Sequence, residues 1–203
     1  MEVPQPMQIE ARPNPFATRF IKAGSLPFVF PDGESLPQIE HRLREANWRG
    51  QIVGPHGSGK STLLKSLEPH WATWGRRSFS FALKDGSRTL PKILTSSDWK
   101  HVDTVIVDGY EQLSLWSRIG LLLRCWRSRK GLIVTTHDRV RGIPLLFTTQ
   151  TNEQLATHLT RTLLDRSNVP NSTELLERVP FYLRKHDGNM REMFLSLYDE
   201  VAQ

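Results

Sequence analysis

The stretch Gly54-Pro55-His56-Gly57-Ser58-Gly59-Lys60-Ser61-Thr62 constrains this chain more than any other. It fits the phosphate-binding loop pattern Gly-x-x-x-x-Gly-Lys-Ser/Thr. Its glycines admit backbone turns that a Cβ forbids, so successive N–H groups can converge on phosphate oxygens. In such a loop Lys60 places a point charge on the β- and γ-phosphates, and the Ser61 hydroxyl ligates Mg2+. The helix that begins near Gly59 adds the positive end of its dipole. The flanks suit the motif: Gln51-Ile52-Val53 reads as a short buried strand, and Leu63, Leu64 and Leu67 recur at helical spacing. The expectation is a strand, a loop and a helix that bind ATP with Mg2+ through residues 54–62.

Around that core the chain alternates strands and helices. Gln38 to Ala46 reads as a helix with Ile39, Leu43 and Ala46 on one side. After the loop helix, Pro69 interrupts while Trp71 and Trp74 continue an apolar stripe. Ser78 to Leu83 alternates as a strand, and a short helix is expected near Leu90–Leu94. Asp103 to Asp108 and Gly131 to Thr136 carry apolar runs that suit central parallel strands buried on both faces. Between them Glu111 to Arg129 reads as a helix with Trp116, Ile119, Leu122, Leu123 and Trp126 in register. Pro144 to Thr148 reads as a further strand. Residues 151–166 read as a helix with Leu155, Leu159, Thr162 and Leu163 facing in. Residues 172–203 read as helical without strands, with Ser172 as a cap and Pro180 as an interruption. Alternation of this kind predicts an α/β fold with right-handed crossovers. The expected division is a flexible, proline-rich arm over 1–13, an α/β domain over 14–168 and a small helical lid over 169–203.

Several side chains beyond the loop carry chemistry. Asp108 closes an apolar strand, where a carboxylate can hold Mg2+ directly or through water. Hydrolysis also needs a group that orients or deprotonates water. The residue after Asp108 is Gly109, so Glu111 is the nearest candidate, with capping of the next helix as its structural alternative. Thr135-Thr136-His137 ends the following strand, and Thr136 or His137 is expected to sense phosphate. Asn189 with Glu192 three positions on reads as a capping box. Arg191 between them either is a surface arginine or reaches the γ-phosphate from the lid.

In order and spacing, Gly54–Thr62, Val105–Asp108, Leu132–Thr136 and Gly188-Asn189-x-Arg191 resemble Walker A, Walker B, sensor 1 and sensor 2 of the AAA+ ATPases. The chain looks most similar to small bacterial ExeA-like secretion and TniB-like transposition ATPases, and Asn14-Pro15-Phe16 resembles their lead-in. The resemblance implies a P-loop NTPase fold, a three-layer α/β/α sandwich whose parallel sheet has the order 5-1-4-3-2, with ATP between sheet and lid. It implies homo-oligomeric assembly through an arginine finger, for which Arg139 and Arg141 stand in the expected place. Asp108-Gly109 departs from the usual Asp-Glu.

Three other readings compete. An ABC-type ATPase is suggested by Thr136-His137-Asp138, but residues 84–102 hold no Leu-Ser-Gly-Gly-Gln segment. A small-molecule kinase has only Arg161 and Arg166 in support. A nucleotide-gated binding module with little turnover is favoured by Gly109. The net charge of +6 suits an acidic partner or DNA, while the cluster Arg124, Arg127, Arg129 and Lys130 reads as a solvated helix face. Cys125 is the one cysteine, so no intrachain disulfide forms. No signal peptide and no apolar run of membrane-spanning length are read, and a cytoplasmic ATPase with a protein client is the expectation.

Overall fold

A computed structural model of the chain describes residues 14–83, 97–167 and 172–202. The arm over 1–13 and the helix expected near Leu90–Leu94 lie outside them. The described residues fall into two compact units, Ala23–Thr151 and one that joins residues up to Lys22 with those from Asn152 onward.

The helical unit comprises α1 (Thr18–Ile21), α5 (Glu153–Ser167), α6 (Ser172–Lys185) and α7 (Met190–Val201). It therefore takes in more than residues 169–203. Leu159 and Leu163 of α5, Val179 and Leu183 of α6, and Met193 and Leu197 of α7 are buried. Phe16 stacks on Phe194 with ring centroids 6.0 Å apart. Pro180 does not interrupt α6, which runs through it. The proline lacks only the N–H that would have served the Leu176 carbonyl, and neighbouring turns carry the helix across. The Asn189 side chain caps α7, accepting from the Arg191 and Glu192 backbone N–H groups at 3.1 and 3.4 Å.

The larger unit is built on five strands: β1 (Arg49–Val53), β2 (Ser78–Ala82), β3 (Thr104–Asp108), β4 (Gly131–Thr136) and β5 (Leu145–Thr148). All pairs are parallel and the order is β2-β3-β4-β1-β5, the expected 5-1-4-3-2 arrangement. β-branched residues dominate β3 and β4, as strands buried on both faces require. On one face Ile52, Ile106 and Ile133 meet α2 (Leu36–Glu45) and α3 (Lys60–Leu67), with Trp71 and Trp74 completing the layer. On the other, Val105, Val107, Leu132 and Val134 meet α4 (Leu115–Arg127), Trp99 and Ile143.

The second face is built differently in two respects. First, α4 turns Leu121 and Cys125 to the sheet and leaves Trp116, Ile119, Leu123 and Trp126 exposed. The register noticed in the sequence is real, but it is not the register that packs. Second, residues 137–144 alone carry the chain from β4 past β1 to β5, with no helix. Parallel crossovers usually need about a dozen residues or more and a helix. Buried Gln51 of β1 takes the helix's place. Its side-chain N–H group donates to the Val140 and Ile143 carbonyls at 2.8 and 2.5 Å, and its Oε1 accepts from Val140 N–H at 2.8 Å.

Candidate functional site

The loop after β1 is fixed from both sides. Gly54 N–H donates to the Thr136 carbonyl at 3.2 Å. The Ser58 hydroxyl lies 2.8 Å from the Pro55 carbonyl and 2.6 Å from the hydroxyl of buried Thr149, just past β5. Thr149 N–H in turn donates to Val53 at 2.8 Å. This close approach explains the first glycine: a Cβ on Gly54 would stand 2.2 Å from the Thr149 hydroxyl. Lys60 opens α3 and is buried, its ammonium donating to the Gly54 and Pro55 carbonyls at 2.6 and 2.7 Å. Burial pushes the Lys60 pKa down, against the opposing pull of Glu111 and Asp108.

Thr135 and Thr136 project to opposite faces of the sheet, as successive strand residues must. Val107 pairs with Val134, so the next position brings Asp108 beside Thr135. The Thr135 hydroxyl donates to Asp108 Oδ1 at 2.6 Å and accepts from Gly109 N–H at 2.8 Å. Thr135, rather than Thr136, thus orients the carboxylate. The Thr136 hydroxyl is buried with no hydrogen-bond partner among the described residues.

Gly109 has φ +83°, and a Cβ there would lie 3.2 Å from the Leu83 carbonyl oxygen. A glutamate at this position would be strained; the next carboxylate along the chain is Glu111, in the 3-10 turn Tyr110–Gln112. Arg118 secures that turn by donating to the Glu111 and Leu113 carbonyls. Glu111 Oε1 lies 2.9 Å from His137 Nε2, whereas Glu111 Oε2 is buried and has no partner among the described residues. His137 also packs against His56 of the loop, ring centroids 3.8 Å apart and planes tilted by 40°. Desolvation lowers the His137 pKa first, the Lys60 charge lowers it further, and Glu111 opposes both.

Lys60, Asp108, Glu111, Thr136 and His137 are therefore gathered around the loop. Arg191 is exposed on the first turn of α7 in the helical unit, and Arg139 and Arg141 are exposed in the β4–β5 connection. Sequence reasoning missed Thr149 and Thr135, and it placed His56 in the loop without its contact to His137. Strand register could have singled out Thr135; nothing local marks Thr149, 91 positions from Ser58. The donor set fits a phosphate with a hard cation: N–H groups and an ammonium for the anion, and Ser61 and Asp108 oxygens for the metal. Among the described residues no cluster of three or more His, Cys, Asp or Glu side chains stands ready for a metal ion by itself. No described helix is long and apolar enough to cross a membrane.

No protein-family model and no curated protein matches the sequence. Solved structures do share its fold. Replication initiator DnaA bound to AMPPCP and single-stranded DNA matches with a TM-score of 0.57 at 17% identity, over 84% of this chain and 61% of that one. AMPPCP-bound DnaA from Aquifex aeolicus gives 0.57 at 17% identity over 82% and 60%. The S. cerevisiae Hsp104–ADP complex gives 0.56 at 12% identity over 90% and 32%. The chain thus spans 60–61% of the length of the DnaA chains it matches. Its parallel sheet, in the order β2-β3-β4-β1-β5 with the phosphate-loop pattern directly after β1, is the fold of the AAA+ P-loop ATPases.

Proposed function

We propose that the chain binds Mg-ATP through residues 54–62 and couples binding and hydrolysis to a change of shape felt by a protein partner. One observation carries this reading: buried Lys60 is held by neutral carbonyls of its own loop while two carboxylates, Asp108 and Glu111, act on it. A desolvated cation in that position gains when a phosphate replaces the carbonyls. Bound Mg2+ would spread the charge developing on the phosphates, with Ser61 and Asp108 as its protein ligands. Thr135 holds Asp108 in one orientation. Glu111 acts on the attacking water, its Oε2 being the oxygen left without a partner among the described residues, and His137 keeps the other oxygen in place. Thr136 offers a buried hydroxyl to a phosphate oxygen.

Titration of the full chain with a fluorescent ATP analogue tests the binding half. Lys60→Ala should weaken it by about ten- to a hundredfold, the value of a charged hydrogen bond; unchanged affinity would overturn the reading. Glu111→Gln should lower steady-state ATP turnover by about a hundredfold or more while leaving binding intact. A second reading, a nucleotide-gated module with little turnover, is favoured by Gly109, whose backbone excludes the usual acid. ATP binding without turnover in the wild-type chain would select it.

A further inference from the structure

The outer side of α4 has no function in the site described above. On a helix advancing about 100° per residue, Leu115, Trp126, Ile119, Leu123 and Trp116 fall within an arc of roughly 100°. Their exposures are 65, 66, 39, 59 and 80%, and no described residue covers them. The opposite side of the same helix, Leu121 and Cys125, is buried on the sheet. A helix apolar on both sides belongs in the middle of a layer rather than at its edge. At roughly 150–250 Å² per aromatic side chain, Trp116 and Trp126 together with Leu115, Ile119 and Leu123 expose apolar surface on the scale of the largest patch on a typical monomer.

Among the described residues the layer beside α4 also lacks a second α-helix. The β4–β5 crossover, which usually lays a helix on this face, is only the Gln51-clamped segment 137–144. At the carboxyl end of α4 the surface sinks into a cleft of about 780 Å³, walled by Trp126, Gly142 and Pro144 and by Arg49, Arg127, Arg129 and Lys130. Arg49, Arg127 and Arg129 form no ion pair with any described residue. From Ser114 to Thr136 the sequence contains no acidic residue.

We propose that this stripe and cleft are the docking site for an amphipathic helix of a partner protein, which lies along α4 with carboxylates at the end that reaches the cleft. The 3-4-3 spacing of Trp116, Ile119, Leu123 and Trp126 is the seam one helix offers another. Charge selects the occupant. A second copy packed α4 against α4 would bring no carboxylate to the cleft, since 114–136 contains none. Residues 84–96 of this chain carry Lys84, Arg88 and Lys92 against Asp85 alone, the same sign as the cleft. A nucleic acid has no use for the aliphatic Leu115, Ile119 and Leu123, and a flat bilayer does not enter a cleft. The site lies outside the phosphate loop, so the inference stands independently of nucleotide binding.

The test is selection of a displayed library of helical peptides, apolar at third and fourth positions and randomised elsewhere, on the full chain. The expected result is enrichment of Asp and Glu at one peptide end. The best selected peptide should bind Trp126→Ser and Arg127→Glu variants at least about tenfold more weakly, with unchanged circular dichroism. Selected peptides without acidic bias, or equal binding by both variants, would overturn the proposal. So would two controls. In the first, phosphatidylserine vesicles or oligo-dT bind through the same tryptophans while no peptide does. In the second, sedimentation shows self-association that Trp126→Ser abolishes.

Discussion

The two faces of the central sheet are covered to different degrees. On one, α2, α3 and the Trp48, Trp71 and Trp74 group close over Ile52, Ile106 and Ile133, with tryptophan centroids 5.0–6.4 Å apart. Arg76 lies over Trp48 at 5.0 Å and seals the edge. On the other, the described covering is α4, the clamped segment 137–144, and Trp99, Tyr110 and Leu113, and the helix keeps an apolar side in solvent. The first face is closed by the chain itself. Among the described residues the second is closed only as far as α4, the 137–144 segment and the Trp99–Tyr110–Leu113 group reach, so the two layers of one sheet differ in completeness.

The contrast can be broken most severely from the finished side. Ile133 is fully buried at the centre of the sheet. Ile133→Ala should cost about 2–5 kcal/mol of unfolding free energy in urea, by lost transfer energy and the cavity left behind. A cost under about 1 kcal/mol would mean that this face is looser than described.

The inner side of α4 comes next. Burial raises the Cys125 thiol to about 11. At pH 8 a thiol reagent should therefore modify the folded chain at least about a hundredfold more slowly than the urea-unfolded chain, since the thiolate is the reactive form. Comparable rates would show that α4 detaches from the sheet.

Gln51→Leu should cost about 1–3 kcal/mol, because the Val140 and Ile143 carbonyls and the Val140 N–H lose their partner while volume is kept. Hydrogen exchange should locate the damage in residues 137–144, on the partial face. Uniform loss of protection would remove the clamp's special role.

A weaker effect lies at the rim, where β4 ends. The folded His137 has a pKa below its ordinary 6.5, so the unfolded chain takes up the proton first. Stability should be fully present above pH 6.5 and fall as pH drops through that value, with a smaller fall in His137→Gln. Equal slopes for the two proteins would assign the acid sensitivity elsewhere. Smallest of all, Trp126→Ser should change stability by no more than about 0.5 kcal/mol, since little of the side chain is buried in the chain itself.

The loop and the strands were legible because each has a local signature, whereas the sheet order was implied only by the family resemblance. Glycines at fixed offsets, apolar runs of strand length and Asp108 at a strand end can all be read one segment at a time. α4 was legible as a helix but not in its orientation. With Leu115, Trp116, Ile119, Leu121, Leu122, Leu123, Cys125 and Trp126 distributed around it, periodicity cannot say which side meets the sheet. The Asp108–Thr135 contact needed the register between β3 and β4, which is a property of pairs. Thr149 and Gln51 act through partners about ninety residues away, and their neighbours in sequence say nothing about them. Pro180 was misjudged as a break because a proline removes one hydrogen bond from a helix without ending it.

One further consequence follows from how short β5 is. Its four residues, about 13 Å of extended chain, run from Pro144 at the cleft to Thr149 on Ser58 of the loop. Pro144 accepts from Gln51 N–H at 2.8 Å and Thr149 donates to Val53 at the same distance, so both ends are tied to β1. The strand behaves as a short tie-rod. A displacement of the crossover segment has few torsions in which to dissipate before it reaches the hydroxyl that positions Ser58.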